Sequence, residues 1–202
     1  AAREAWIKAR VPYQQSEVYR FGNPLVDAWE GKVNAWPLDE GLIDYVDAAY
    51  GTESDENSLY VANVIANKHI KIGGKDVDAT NITPEFLSET LHEAGEIEAN
   101  VATGYHAIEF LLWGQDLNGS NPGAGQRPAS DFIQGDGCTG GHCDRRASYL
   151  KAATTLLITD LDYMAGQWQA GVADNYRAKL EAEPAENGLR KMLFGMGSLS
   201  LG

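Results

Sequence analysis

The sequence predicts an all-α fold, and three observations carry that prediction. Leu150, Leu157, Leu161, Met164 and Trp168 recur at spacings of seven, four, three and four, a sustained apolar stripe along one helix face. Residues 107–113, AIEFLLW, are apolar nearly all round a helix, which is the pattern of a buried one. Strand signals are too few to build a sheet. The expected architecture is a helical bundle, with at most a minor hairpin near residues 70–78.

Taken in order, the opening AAREAWIKAR reads as helix interior, since no Ser, Thr, Asp or Asn caps it. Leu42, Val46 and Ala49 mark one face of a helix expected to start at Asp39, just after Pro37. Leu59, Val61, Val64 and Ile65 predict a short helix next. IKIGGKDVD then breaks the pattern, either as a small hairpin turning at Gly73-Gly74 or as a loop. Thr83-Pro84 is a helix start, a capping hydroxyl followed by proline in the first turn. That helix is expected to reach about residue 100 with Gly95 inside it, and then to continue or restart from Gly104 to Trp113. DLNGSNPGAGQRPASDF is a long loop of a kind that is often functional or mobile. The longest helix begins near Asp144, and a last one runs from Pro184 to about Leu193, ahead of the glycines of FGMGSLSLG.

With 202 residues and 44% hydrophobic content, the chain can build one sizeable core, as one domain or two small lobes. A formal net charge of −13 repels phosphate backbones and argues against a nucleic-acid partner. No apolar run approaches the ~20 residues that cross a bilayer. Both ends read as cut inside structure, so a portion of a longer chain is expected. The two cysteines, Cys138 and Cys143, lie in GCTGGHCDRR. An even count in a tight loop suits a local disulfide and an oxidising compartment. The alternative, a Cys-His metal site with His142, is disfavoured because zinc sites usually take four ligands and no second cysteine pair exists.

GYHAIEFLLWG, residues 104–114, carries the chemistry. His106 and Glu109 are three residues apart and share a helix face. A buried carboxylate is too costly to leave alone, so Glu109 is expected to be protonated, ion-paired or metal-bound. Two readings stay open: a hydrogen-bonded pair that orients the bundle, or an imidazole and a carboxylate directed at one metal or catalytic position. Gly104, one turn before Ile108, would let another backbone or a ligand come close.

This stretch resembles the Gly-x-His-x-x-Glu signature of the imelysin family, described as imelysin-like peptidases and iron-regulated periplasmic or surface proteins. SEVYRFG, IEANVATGYH, RPASDF, DRRASYL and GMGSLSLG resemble that family too, so the likeness covers essentially all 202 residues. The resemblance implies an all-helical fold of two bundle-like halves with the His-x-x-Glu site between them, in chains usually longer than this one. Residues 1–202 would then be an incomplete portion of a two-lobed chain. It further implies iron or divalent-metal acquisition, export to a periplasm or cell surface, a lipid anchor on a missing N-terminus as one route to that surface, and a membrane-bound uptake partner. A second class, metallopeptidase, is implied because His-x-x-Glu resembles a zinc carboxypeptidase ligand pair.

The residues speak unequally to these classes. A catalytic zinc usually takes three protein ligands and an open position. The third could only be His142 downstream, with Glu17 as base and Arg20 or Arg127 stabilising charge. His92-Glu93-x-x-Glu96 half-matches His-Glu-x-x-His, but Glu96 stands where the second His belongs. Glu89 and His92 form a single Glu-x-x-His, whereas di-iron chemistry needs two. On one continuous helix, His92 and His106 would lie ~21 Å apart and could not share an ion. A binding site asks less: His106 and Glu109 as ligands of a divalent or ferric ion, iron or zinc, with one or two donors from Glu17 or Glu98. Arg20 would balance charge or hold a carboxylate; the plainer reading of Glu17-Arg20 is a surface pair worth ~0.2–0.5 kcal/mol. Tyr13, Tyr19 and Phe21 argue that this stretch is buried. Ser198 either lines the same cleft or is a turn or cap serine, and His69 is expected to be solvated. A metal-free helical interaction module is the third class. The reading favoured is a binding protein, with the metallopeptidase as its alternative.

Overall fold

Helix α5, Cys143–Trp168, spans 26 residues of the computed structural model, which describes residues 1–20 and 22–201. It begins one residue before the expected Asp144. The other helices are α1 (Ala2–Gln15), α2 (Pro24–Asn34), α3 (Glu40–Ile43), α4 (Gly104–Trp113), α6 (Tyr176–Ala182) and α7 (Ala185–Leu201). The all-α expectation holds, with one antiparallel hairpin of β1 (His69–Ile72) and β2 (Lys75–Asp78), in which Ile70 faces Val77 and Ile72 faces Lys75. Its turn is Gly73-Gly74, both at positive φ, so the hairpin reading of that stretch is the correct one. Among the described residues, no helix is long and apolar enough to cross a membrane. The chain forms two units, residues 34–157 and residues 1–33 with 158–202.

Unit 34–157 holds the larger core, with Leu42, Ile43, Val64, Ile65, Leu87, Leu91, Val101 and Leu111 fully buried. The helix expected from Asp39 is a single turn. Its end carbonyls need donors, and the segment expected to be the next helix supplies them: Asn63, Val64 and Ile65 N–H donate to Gly41, Leu42 and Ile43 C=O at 2.9, 3.0 and 3.1 Å. Leu59, Val64 and Ile65 are therefore buried as an irregular strap, not as a helix. Gly41 permits that approach, because a Cβ there would collide with the Tyr60 carbonyl oxygen. Arg145 then rivets the strap to α5. Its guanidinium donates to Val64, Ile65, Ala79 and Thr80 C=O at 2.7, 2.7, 2.8 and 2.7 Å.

The expected helix from Thr83 to about residue 100 is corrected as well. Thr83 caps as predicted, its hydroxyl accepting from Phe86 N–H at 3.1 Å. A wide π-type turn over Phe86–Leu91 follows, and the chain then leaves the helix: His92 is extended, and Glu93, Gly95 and Glu96 have φ of 53°, 73° and 62°. Asparagines outcompete the helix ladder there. Asn100 Nδ2 donates to Ala94 C=O at 2.6 Å, Asn100 C=O accepts from Glu93 N–H at 2.8 Å, and Asn57 Nδ2 donates to Asn100 Oδ1 at 2.7 Å. The chain restarts as α4 at Gly104, which at φ +79° makes a turn that favours glycine.

In the unit of residues 1–33 and 158–202, α2 buries Val26, Trp29 and Val33, and Trp29 Nε1 donates to Asp160 C=O at 2.7 Å. Asn175 caps α6, accepting from Ala178 N–H at 2.9 Å, while its Nδ2 donates to Gly166 and Gln169 C=O. Helix α7 does not stop near Leu193 but runs through its glycines to Leu201, so Ser198 is a half-buried helical residue and not a turn or cap. Of the aromatic residues expected to bury the Glu17-Arg20 stretch, Tyr13 is half-buried, Tyr19 is exposed, and Phe21 lies outside the described residues.

Candidate functional site

Helix α4 buries Tyr105, Ala107, Ile108, Phe110, Leu111 and Leu112, as its all-round apolar pattern requires. The two polar side chains lie on its one accessible face. His106 Nδ1 is 3.0 Å from Glu109 Oε2, with the imidazole side chain 19% exposed and the carboxylate 43% exposed. The expectation of a buried Glu109 is thus corrected: the pair sits at the surface of the unit, where water can reach the carboxylate. Trp36, itself exposed, lays its ring 5.0 Å from the imidazole at a 55° tilt.

Four residues after Trp36, the half-buried Glu40 opens α3, which packs against α4. Desolvation raises the Glu40 carboxyl to about pH 7 from an ordinary 4.5; the negative charges of Asp116 and Glu109 push the same way and Arg127 opposes them. Glu40 thus feels the charge of Glu109, the carboxylate that contacts the imidazole. Sequence reasoning missed Glu40 and Asp116, because neither shares a spacing with the motif. Among the described residues, no group of three His, Cys, Asp or Glu side chains is placed to hold a metal ion. The donor types suit a divalent cation, one imidazole nitrogen with carboxylate oxygens, and the cage is not closed.

Close by in sequence stands a second polar assembly, also missed. Asp44 accepts from Arg127 Nη1 at 2.7 Å and from Arg146 Nε and Nη2 at 2.6 and 3.0 Å. Arg127 Nη1 also reaches Asp131 Oδ2 at 3.2 Å, and Tyr45 O–H and Thr139 O–H donate to Asp131 at 2.5 and 2.8 Å. The Arg127, Asp44, Asp131 and Arg146 side chains are each about 1% exposed. Burial pushes the Asp131 carboxyl up, but the hydrogen bonds from Tyr45 and Thr139 and the two guanidinium charges outweigh it and hold the group below its usual range. Arg127, Tyr45 and Trp113 line a cleft of about 350 Å³. The RPASDF and DRRASYL stretches supply three of the four charges; a signal for Asp44 was its place directly after the apolar pair Leu42-Ile43.

Cys138 and Cys143 are bonded, as expected, with Cα atoms 5.9 Å apart. The loop they close feeds this assembly, since Gly140 and Gly141 C=O accept from Arg146 at 3.3 and 2.9 Å. His142 lies exposed in that loop at φ 50°. His92 is half-buried, its Nδ1 accepting from Ala102 N–H at 3.3 Å. Glu98 is exposed in the loop before α4, and His69 is exposed on β1. Glu17 and Arg20 belong to the other unit, where Arg20 Nη1 bridges Glu17 at 2.7 Å and Glu30 at 3.1 Å. Ser198 belongs to that unit too. The structure thus pairs His106 with Glu109 and Glu17 with Arg20, each pair within its own unit.

The family profile for imelysin, peptidase M75, matches residues 1–202. The chain belongs to the imelysin family. No curated protein matches it. In this imelysin-family chain the Gly-x-His-x-x-Glu motif is a helix start at positive φ followed by an imidazole and a carboxylate in contact on one accessible face.

Proposed function

We propose that this imelysin-family chain binds a divalent cation, iron in the first place, as cargo at His106 and Glu109, with Glu40 as an added oxygen donor and Glu17 and Arg20 as support. The observation that carries the reading is the 3.0 Å His106–Glu109 pair on the exposed face of an otherwise buried helix. A pair serving only to orient a core has no need of that face. Glu40, raised chiefly by burial and further by the charges of Asp116 and Glu109, would gain from a cation beside it. Export to a periplasm or cell surface belongs to this reading, supported by the disulfide, which persists in oxidising compartments, and so does transfer to a membrane-bound uptake partner. The metallopeptidase reading draws no comparable support, because its third ligand would be His142 in the disulfide loop.

The test is calorimetric titration of Fe²⁺ under anaerobic conditions, and of Zn²⁺, into wild type, His106→Ala, His92→Ala and His142→Ala. Stoichiometric binding lost only in His106→Ala is the expected result. Equal loss in His142→Ala would restore the carboxypeptidase-like picture, and no binding by wild type would reduce the pair to a structural hydrogen bond.

A further inference from the structure

The unit of residues 1–33 and 158–202 holds a pocket that the metal reading does not use. It has a volume of about 120 Å³ and is lined by the rings of Tyr19, Trp168 and Tyr176, by Asn23 just before α2, and by Gly188 and Lys191 of α7. Trp168 meets Tyr176 edge-on, with ring centroids 4.9 Å apart and a 63° angle between planes, and meets Tyr19 at 6.2 Å and 59°. Such tilted pairs leave ring faces and edges open to another aromatic partner, and the tilted geometry is the one aromatic rings prefer. The volume is somewhat below the about 150 Å³ of a cavity that accepts benzene, so a single ring is the largest occupant without adjustment of the lining.

Two further features narrow the occupant. Asn23 is 3% exposed, and its amide oxygen Oδ1 has no hydrogen-bond partner among the described residues. A buried acceptor in that condition is costly, and a donor brought to it recovers the loss. The charged lining residue, Lys191, is neutralised by both oxygens of Glu183, each at 3.1 Å. The pocket thus offers a small aromatic enclosure and one acceptor, without a net charge to select an anion. Gly188 keeps it open: a Cβ there would meet only Leu180 Cδ1 at 3.8 Å, so a side chain is excluded by no backbone or steric demand.

We infer that this pocket binds a monocyclic aromatic molecule carrying one hydrogen-bond donor, a phenol, with the ring among Tyr19, Trp168 and Tyr176 and the hydroxyl directed to Asn23 Oδ1. The inference does not rest on the metal reading, and the two sites lie in different units.

The experiment is calorimetric titration of the whole chain with phenol and with anisole, which has the same ring and oxygen but no donor. Saturable one-to-one binding of phenol, about tenfold tighter than that of anisole, is expected. Gly188→Leu fills the pocket from a helical position that tolerates a side chain, and is expected to abolish phenol binding while leaving the circular dichroism spectrum and the Fe²⁺ titration unchanged. Absence of saturable phenol binding by wild type overturns the pocket. Equal affinities for phenol and anisole overturn the role of Asn23. Unchanged phenol binding by Gly188→Leu places the ligand elsewhere and overturns the inference.

Discussion

Unit 34–157 contains two groups of carboxylates that differ in what surrounds them. Asp44 and Asp131 are sealed with Arg127 and Arg146, two negative charges against two positive, every link a hydrogen bond of 3.2 Å or less. Glu109 pairs with one imidazole, partly in water, and burial, helped by the charges of Asp116 and Glu109, drives the Glu40 carboxyl up toward neutrality. Low dielectric penalises charge in both places. The first group answers with guanidinium partners and becomes a fixture of the fold. The second has the charge of Arg127 to oppose the rise of Glu40 and one imidazole beside Glu109, and Glu40 answers by holding its proton. An accessible cluster with excess negative charge is a better pointer to binding than a buried one whose charges are matched.

The largest expected effect is at Asp44. Asp44→Ala removes the carboxylate shared by two buried guanidinium groups and is expected to cost about 3–5 kcal/mol, read from urea unfolding. A loss below about 1 kcal/mol would mean that the sealed group is not a fixture at all. The disulfide comes next. Replacing Cys138 and Cys143 by serine opens the loop that feeds Arg146 and is expected to cost about 2 kcal/mol, from the chain entropy of so short a loop. Preservation of wild-type stability in that double variant would separate the loop from the network.

At Glu40 the comparison becomes a pH dependence. Its carboxyl stays protonated in the fold up to about pH 7, against 4.5 ordinarily. The folded state therefore binds the extra proton between those values. Its stabilising effect is complete below pH 4.5 and is lost as pH rises through 7. Unfolding free energy is expected to fall between pH 5 and pH 8 by on the order of 1–2 kcal/mol, after a discount for the partial exposure of the group. Glu40→Gln is expected to flatten that slope, and urea unfolding of both proteins at the two pH values decides it. The smallest effect is at the motif itself. His106→Ala removes a half-open pair and is expected to shift stability by less than about 1 kcal/mol. A loss several times larger would move His106–Glu109 from the accessible group to the sealed one.

Residues that act within one or two helical turns were legible in advance. Thr83 reads as a cap and is one, His106 and Glu109 read as sharing a face and do, and Cys138 and Cys143 read as a local pair and are bonded. The partners of Asp44 were not legible, because Arg127 and Arg146 lie 83 and 102 positions away and no periodicity spans that interval. The lost helix before residue 100 failed for a related reason. Its apolar spacing is helical, yet Asn57 and Asn100 hold the backbone in turns through contacts made 43 positions apart. The extension of α7 was hidden by its glycines, which read as a stop although the chain carries its helix through them.

Arg145 has one more implication. By gripping Val64 and Ile65 on one side of the β1–β2 hairpin and Ala79 and Thr80 on the other, it fastens both feet of that hairpin to α5. Whatever happens at the tip stays at the tip. Gly73 and Gly74 are exposed, and a Cβ at either would touch nothing within 4 Å. The molecule thus carries a ready splice point, where an epitope or a fluorescent reporter can be inserted between two glycines without tugging on the anchored chain at either foot.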